Sequence, residues 1–288
     1  MTTPKISERQ NCSLPRNENR HNSTQPEEFT QYGSQRRSHS GVCDKGAYRN
    51  GAEVVSIDET AEIPDDTDIV CHMSRTPMVL QRLKDAERGG VTVINPPAAV
   101  ENCSRIELMQ ILESNGTPQP MFCIITEKEE LTTLPFPAWI KRGEGWSCHK
   151  DDISFVNDSS DAIKAIDAMR QRGIKSFVYT THCKGDIIKF YGVGDSFFTY
   201  SYPNAEKTKF GLEKINGETK HYPFDAEAMH RIVADAARAV GLNVYGGDCI
   251  VDENGGICII DLNDFPSFSS VRNEAAKEIA NIIMDTTK

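Results

Sequence analysis

Two aspartates near the carboxyl end of the chain could face each other and hold a metal ion. In residues 246–268, two apolar runs flank Asn254-Gly255, a pair typical of a two-residue turn between paired strands. With that turn, counting back along both strands places Asp248 opposite Asp261. Because side chains alternate along a strand, Asn263 shares a face with Asp261, and three oxygen-bearing side chains converge.

Facing carboxylates repel each other, and a cation, a shared proton or an arginine usually relieves the repulsion. Hard oxygen ligands suit magnesium or manganese, which proteins commonly hold through one or two carboxylates together with substrate phosphates. The hairpin therefore indicates nucleotide chemistry. The alternative is a solvated hairpin with aspartates that are simply exposed, as most aspartates are.

A lysine beside a glycine loop could supply the phosphate side of such a site. Lys141 ends the strand-like run PAWIK, and Gly143 and Gly145 follow it. Backbone amides in a glycine loop, together with a lysine, make a phosphate cradle. A hairpin with a solvated lysine is the alternative. His149, farther along, could be a turn residue, a ligand contact or a proton carrier.

A second lysine interrupts an apolar strand-like run. In DIIKFYGVG, Lys189 shares one face with Ile187 and Tyr191. A lysine in mid-strand between apolar neighbours is a candidate for a charge that faces a ligand. The alternative is a lysine on a solvated sheet face.

Composition narrows the class of protein. The chain has 288 residues and a formal net charge of -10, which argues against a broad nucleic-acid-binding surface. It contains no apolar run long enough to cross a membrane, and no signal-peptide pattern at its amino terminus. Nine scattered cysteines form no CxxC pair, which favours reduced thiols in the cytoplasm. We therefore expect a soluble, cytoplasmic protein.

The chain divides into three regions. Residues 1–50 are polar and predict a disordered tail. Residues 51–95 predict part of a small α/β domain, with strands at EVVSI, TDIVC and VTVIN and a helix over residues 77–88. Residues 96–288 predict a mixed domain of strands and helices. A polar stretch at 203–224 is consistent with a lid, and a helix over 225–240 leads into the hairpin.

This order of parts resembles the ATP-grasp superfamily over residues 96–284, with residues 53–95 in the place of its preceding α/β domain. The most specific segment is GGDCIVDENGGICIIDLNDFPSF, which is similar to the metal-binding end of that fold, although Asp261 stands where many members have glutamate. The resemblance implies an ATP-grasp fold of class α+β / α/β, in which two α+β subdomains grip ATP. It also implies ATP and Mg2+ (or Mn2+) as cofactors.

The resemblance also implies roles for individual residues. Lys141 would contact the ATP phosphates, and Arg105 and Lys189 would face nucleotide or substrate. His149 would lie near the phosphoryl acceptor. The remaining positions fall into two sets: Val178, Tyr179, Thr180 and Thr181 as the hinge against adenine, and Asp248, Asp261 and Asn263 as magnesium ligands.

Local motifs resemble one kinase family within the superfamily. FPAWIKRGEGWSCHKDDISF, HCKGDIIKFYGVGD with SYPN, and IDLNDFPSF look most like inositol 1,3,4-trisphosphate 5/6-kinase. Glutathione synthetases and ribosomal-protein glutamate ligases share the same metal end. Two features of this sequence depart from the pattern of the kinase family. Residues 53–104 hold ten acidic and four basic residues, with Lys84 as the single lysine, and Ser267 replaces the usual glycine.

The leading prediction is an ATP-grasp ligase that transfers the γ-phosphoryl group to a carboxylate, after which an amine or thiol attacks the acylphosphate. Lys189 and His149 are the predicted catalytic residues. The first alternative is a kinase of inositol phosphates or a related polyol, in which His149 or a carboxylate takes the hydroxyl proton. The second is a nucleotide-binding protein without catalysis. The expected partner is a small-molecule or peptide acceptor, with no nucleic acid and no membrane; a homo-oligomer is compatible with the sequence.

Overall fold

The computed structural model describes residues 32–37, 52–147, 149–203, 215–268 and 270–286. Within these ranges the strands form three four-stranded sheets, and six α-helices cover them. The architecture is a mixture of α and β structure, as the sequence predicts. In these same ranges no helix is long and apolar enough to cross a membrane.

The first sheet has the order β2-β1-β3-β4. Its strands are β1 (Tyr32–Arg37), β2 (Ala52–Ser56), β3 (Ile69–His72) and β4 (Thr92–Ile94). Strand β1 lies inside the stretch predicted to be a disordered tail, and there the structure differs from the prediction. It pairs antiparallel with both β2 and β3, because its backbone supplies hydrogen-bond partners without needing apolar side chains. The rest of residues 1–50 lies outside the described residues.

Two helices pack against the first sheet. Helix α1 (Pro77–Arg88) has the predicted bounds and buries Val79, Leu80 and Leu83. Helix α2 (Pro97–Asn102) is not predicted by the sequence, where Asn95-Pro96-Pro97 indicates a turn. Proline is well tolerated at the first position of a helix, since the N–H it lacks would have no intrahelical partner there. The turn therefore leads directly into a helix.

The second sheet is antiparallel with the order β5-β8-β6-β7. Its strands are β5 (Phe122–Ile125), β6 (Ala138–Arg142), β7 (Ile153–Val156) and β8 (Phe177–Thr181). Helix α4 (Ser159–Gln171) covers one face and buries Ile166 and Met169 there. The side chain of Asp158 caps this helix by accepting the N–H of Asp161.

The third sheet is antiparallel with the order β10-β9-β11-β12. Its strands are β9 (Asp186–Val193), β10 (Phe197–Ser201), β11 (Val244–Val251) and β12 (Ile257–Asp264). Helices α3 (Arg105–Ser114) and α5 (Ala226–Val240) pack on one face against alternate strand residues such as Phe190, Cys249 and Leu262. Helix α6 (Arg272–Thr286) follows β12. Alternation therefore turns Lys189, Asp248 and Asp261 to the opposite face.

The hairpin between β11 and β12 confirms the predicted pairing of Asp248 with Asp261, but its predicted two-residue turn is wrong. Asp252 N donates to Gly256 O and Gly255 N donates to Asp252 O, which makes a three-residue loop with Gly255 at φ 80°. The Asp252 carboxylate also accepts the N–H groups of Asn254 and Gly256. The longer loop moves the pairing by one residue from the predicted register. A register shift between Asp248 and Cys249 moves it back, so Asp248 still pairs with Asp261.

Asn95 joins the first domain to the third sheet. Its side chain is buried at 1% exposure. Its Nδ2 donates to Val244 O at 2.7 Å, and its Oδ1 accepts the N–H groups of Asn243 and Val244, each at 2.8 Å. Val244 begins β11, the strand that carries Asp248. One amide therefore fixes the start of this strand against the end of β4.

We expect Asn95→Ala to lower the free energy of unfolding by about 3 kcal/mol, because it leaves three buried backbone groups without their partners. Asn102→Ala is the matched control. Asn102 makes one hydrogen bond, to Val240 O, in a partly buried setting, so its loss should cost about 1 kcal/mol. Chemical denaturation of both variants measures the difference. Equal losses would contradict the role of Asn95 as a clamp.

Candidate functional site

Three charged side chains form a continuous row across the third sheet. Lys189 pairs with Asp248 in the register of β9 and β11, and Asp248 pairs with Asp261 in the register of β11 and β12. Lys189 Nζ donates to Asp248 Oδ1 at 2.8 Å. Asn263 Nδ2 donates to Asp261 Oδ2 at 2.8 Å, so the amide also lies beside the row. The structure therefore brings together four of the predicted site residues.

The row leaves excess negative charge on the sheet. Two carboxylates face one ammonium group, and the side chains of Lys189 and Asp248 remain 32% and 27% exposed. Lys189 reduces the repulsion between the aspartates, but it does not neutralise both of them. The row is therefore suited to a ligand that brings further positive charge, such as a cation bound to phosphates.

The donor set fits a cation whose coordination the nucleotide completes. Within the described ranges no group of three His, Cys, Asp or Glu side chains could hold a metal ion by itself. Magnesium typically takes only one or two protein carboxylates and uses phosphate oxygens and water for the rest. Asp248 and Asp261 supply two carboxylates, and Asn263, with its Nδ2 on Asp261, has its amide oxygen as a further donor. These residues fit a nucleotide-bound cation better than a closed structural metal site.

Lys141 approaches this row from the second sheet. It lies on β6 opposite Val178 of β8 and is buried, at 8% exposure. Burial, together with the nearby Arg105 guanidinium, lowers the pKa of Lys141 to about 8, while Asp261 acts in the opposite direction. Arg105 and Asp261 are therefore both close enough to Lys141 to influence its charge. The candidate site lies between the second and third sheets.

The loop after Lys141 is held in place at both ends. Gly143 N donates to Ser176 O at 2.8 Å, and a Cβ atom at Gly143 would come within 2.9 Å of the Ser176 side chain. Gly145 has φ 64°, a conformation that favours glycine. Arg105 Nη2 donates to Ser147 Oγ at 3.3 Å. The predicted glycine loop therefore packs beside Arg105, which the resemblance assigns to the same site.

The four predicted hinge residues do not all face the site. Val178 and Thr180 are fully buried on the face of β8 that Lys141 shares. The Thr180 hydroxyl has no hydrogen-bond partner within the described part of the chain, so a polar atom on this face could bind a ligand. Tyr179 packs on the α4 side and donates its hydroxyl to Pro135 O. Thr181 N donates to Met121 O.

His149 lies in a different setting. Its side chain is 52% exposed at the start of a 3-10 turn formed by Lys150–Asp152. Its Nδ1 accepts the N–H of Asp151 at 3.2 Å, and its own N–H donates to Asp152 Oδ2 at 2.9 Å. These contacts hold the turn and do not connect His149 with Lys189 or the aspartates. Its role as a proton carrier stays a prediction.

Arg75 is a residue of this region that the sequence does not single out. Its Nη2 lies 2.5 Å from Asp264 Oδ1, and its guanidinium carbon lies 5.3 Å from the ring centre of Trp146. Arg75 therefore connects the first domain with the end of β12 and with the glycine loop. Its position just after β3 is the one available signal, since ligands of α/β domains bind at the carboxyl ends of parallel strands.

The other basic side chains among residues 54–104 have partners within that stretch. Arg82 donates to the carbonyl groups of Glu59 and Ala61. Lys84 pairs with Glu101 and Arg88 with Asp85. Among residues 54–104, one of the four lysine and arginine side chains, Arg75, is thus directed toward the site.

Comparisons with known proteins concern the fold of the chain. No protein-family model and no curated protein sequence matches the chain. The RimK domain protein ATP-grasp from Sphaerobacter thermophilus is 14% identical, with a TM-score of 0.59 over 80% of this chain and 86% of that chain. D-alanine–D-alanine ligase from Bacillus anthracis is 13% identical, with a TM-score of 0.56 over 77% and 81%. The ATP-grasp ligase PsnB, complexed with a minimal precursor, is 16% identical, with a TM-score of 0.54 over 73% and 69%.

The chain has the ATP-grasp fold. The resemblance found in the sequence is thereby confirmed for the architecture. The local likeness to inositol 1,3,4-trisphosphate 5/6-kinase stays a prediction.

Nucleotide affinity should depend on pH through Lys141. In the free protein Lys141 loses its proton as pH rises through about 8, and bound phosphates would raise its pKa. ATP should therefore bind best below pH 8 and up to about tenfold more weakly per pH unit above it, with proton uptake on binding. Calorimetry in buffers of different ionisation enthalpy measures both effects.

Lys141→Met should bind weakly and lose this pH dependence. Lys150→Met removes an exposed lysine and should keep the wild-type profile. A wild-type affinity that stays constant between pH 7 and pH 9 would contradict the placement of Lys141 at the phosphates.

Proposed function

We propose that this protein is an ATP-dependent ligase that binds ATP and a divalent cation between its second and third sheets. The observation that carries the proposal is the buried Lys141 opposite the row of Lys189, Asp248 and Asp261. The fold supports the same conclusion. The structurally similar proteins include a D-alanine–D-alanine ligase and the ATP-grasp ligase PsnB.

The phosphates would lie between cationic groups from both sheets. Lys141 would contact them from the second sheet, with Arg105 beside the glycine loop. On the third sheet Asp248, Asp261 and Asn263 would hold magnesium or manganese. The bound cation would neutralise part of the negative charge on the phosphates. The hinge segment of β8, with the unpartnered Thr180 hydroxyl, would lie against the adenine.

Lys189 would be the residue closest to the transferred group. Asp248 holds its ammonium group at 2.8 Å, at the centre of the row. A cation on Asp248 would weaken this ion pair and leave Lys189 to contact the γ-phosphoryl oxygens. Positioned cationic groups of this kind commonly contribute about 3 kcal/mol to the transition state. Lys189 would thus bind Asp248 in the free protein and act as a catalytic residue in the complex.

The acceptor would be a carboxylate of a small molecule or peptide. Its oxygen would attack the γ-phosphorus as the bond to ADP breaks, which gives an acylphosphate and releases ADP. An amine or thiol would then attack the acyl carbon, displace phosphate and lose a proton. The charges of the first domain favour this acceptor over a polyphosphate. Arg82, Lys84 and Arg88 have partners within residues 54–104, so Arg75 is the one lysine or arginine of that described stretch that is directed toward the site. A kinase of inositol phosphates would need several such groups.

Product analysis tests the reaction type. The protein is incubated with magnesium, ATP and pooled amino acids, or with inositol phosphates, while ADP release and product masses are followed. ADP release that requires a carboxylate and an amine or thiol together supports the ligase. A phosphorylated polyol formed without an amine would contradict it.

We expect Asp261→Asn to reduce turnover by roughly a hundredfold or more, because it removes one of the two carboxylates that would hold the cation. Glu253→Gln removes an exposed carboxylate from the turn of the same hairpin and should retain turnover. Steady-state ADP release measures both variants. Wild-type turnover in Asp261→Asn would defeat the metal assignment.

A further inference from the structure

Two cysteine thiols lie in contact beside the proposed nucleotide site. The sulfur atoms of Cys183 and Cys258 lie 3.6 Å apart although the residues are 75 positions apart in the chain. Cys183 lies in the connection between β8 and β9, and Cys258 lies on β12. Both residues are partly exposed and reduced. A small reagent can therefore reach them from the site.

The pair occupies the face of the third sheet that carries the charged row. Cys258 pairs with Ile250, and Ile250 pairs with Ile187. On this face of the sheet, these three residues form the next row of side chains after Lys189, Asp248 and Asp261. Both sulfur atoms also lie close enough to Lys141 to affect its pKa. The thiols therefore lie close to Lys141, on the face of the third sheet that carries the charged row.

The chain around Cys183 is held firmly. A Cβ atom at Gly185 would come within 2.2 Å of Val251 O, so this segment packs directly on the hairpin. The buried Asp186 accepts the N–H groups of Lys220 at 2.6 Å and Tyr222 at 2.9 Å. The closeness of the two sulfur atoms thus follows from the packing of the backbone.

We propose that Cys183 and Cys258 form an oxidation site that takes a low-molecular-weight disulfide as its oxidant, and that the resulting intramolecular disulfide weakens nucleotide binding. The effect on binding rests on the proposed function, whereas formation of the bond does not. The bond would draw β12 toward the β8–β9 connection, since bonded sulfurs lie about 2 Å apart. That shift would change the space between Lys141 and Asp261.

The chemistry is a thiol–disulfide exchange in two steps. The Cys183 thiolate attacks one sulfur of the oxidant RSSR, which gives a mixed disulfide and releases RSH after proton uptake. The Cys258 thiol, after losing its proton, attacks the Cys183 sulfur and releases the second RSH. Two protein thiols are oxidised and one RSSR is reduced to two RSH.

The surroundings favour Cys183 as the attacking group. The hydrogen bond from Cys258 and the charge of Lys141 lower the pKa of Cys183, against the effect of its burial. The same hydrogen bond and burial raise the pKa of Cys258. A lowered thiol pKa beside a cation is typical of reactive cysteines.

The test compares reduced protein with protein treated with oxidised glutathione. Peptide mapping should find a Cys183–Cys258 cross-link. Calorimetry with magnesium and a non-hydrolysable ATP analogue should show affinity about tenfold weaker in the oxidised protein, restored by a reductant. By reciprocity the bound analogue should hinder formation of the disulfide by the same factor.

Variants assign the effect to the pair. Cys183→Ser should show equal affinity before and after the treatment, whereas Cys258→Ser should stop at the mixed disulfide of Cys183, so that neither variant forms the cross-link. Cys123→Ser is the control, because Cys123 lies on the opposite, α4-covered face of the second sheet; it should keep the wild-type redox response.

Two results would overturn the proposal. One is the absence of the cross-linked peptide after treatment, and the other is equal affinity of the reduced and cross-linked forms. If the reduced protein binds no nucleotide, the proposed function itself fails, and the claim that the disulfide controls binding fails with it. The cross-linked peptide is measured independently of that result.

Discussion

Charge balance along the row of Lys189, Asp248 and Asp261 is the constraint on which the rest of the structure depends. The pairing of β9, β11 and β12 places two carboxylates and one ammonium group side by side. Lys189 neutralises one of the carboxylates and leaves the row negative. The opposite sheet contributes Lys141, whose burial costs it part of its charge. Each sheet therefore carries charges that a nucleotide with its cation would balance.

The fold serves this row by fixing three strands to one another. Asn95 ties the start of β11 to the first domain, and the Asp252 side chain sets the loop between β11 and β12. Gly247 lies directly before Asp248, and a Cβ atom there would come within 2.1 Å of the Asp261 carbonyl oxygen. The close approach of these strands thus depends on glycine at that position.

Local pattern predicted most of the elements and the pairing of the strands that carry Asp248 and Asp261. Apolar periodicity indicates α1 and α5, and alternation places Asp261 and Asn263 on one face. The pairing of Asp248 with Asp261 was predicted through an incorrect turn. Two one-residue offsets, one in the loop and one at the register shift, cancel each other. Alternation along strands is therefore a firmer guide to a site than the length of a turn.

Contacts between distant parts of the chain were beyond sequence reasoning. Arg75 and Asp264 are 189 positions apart, and no local pattern shows that they meet. The pairing of Cys183 with Cys258, the three hydrogen bonds of the Asn95 side chain and the addition of β1 to the first sheet likewise depend on tertiary packing. His149 shows the converse: its spacing from Lys141 suggests a site residue, while its contacts hold a local turn.

A crystal structure with magnesium and a non-hydrolysable ATP analogue tests the central claim most directly. The account predicts phosphate oxygens within hydrogen-bond distance of Lys141 Nζ, and a cation that contacts Asp248 and Asp261. It also predicts that Lys189 Nζ has left Asp248 Oδ1 for the γ-phosphate. Nucleotide bound outside the space between the second and third sheets, or a cation that contacts neither aspartate, would contradict it.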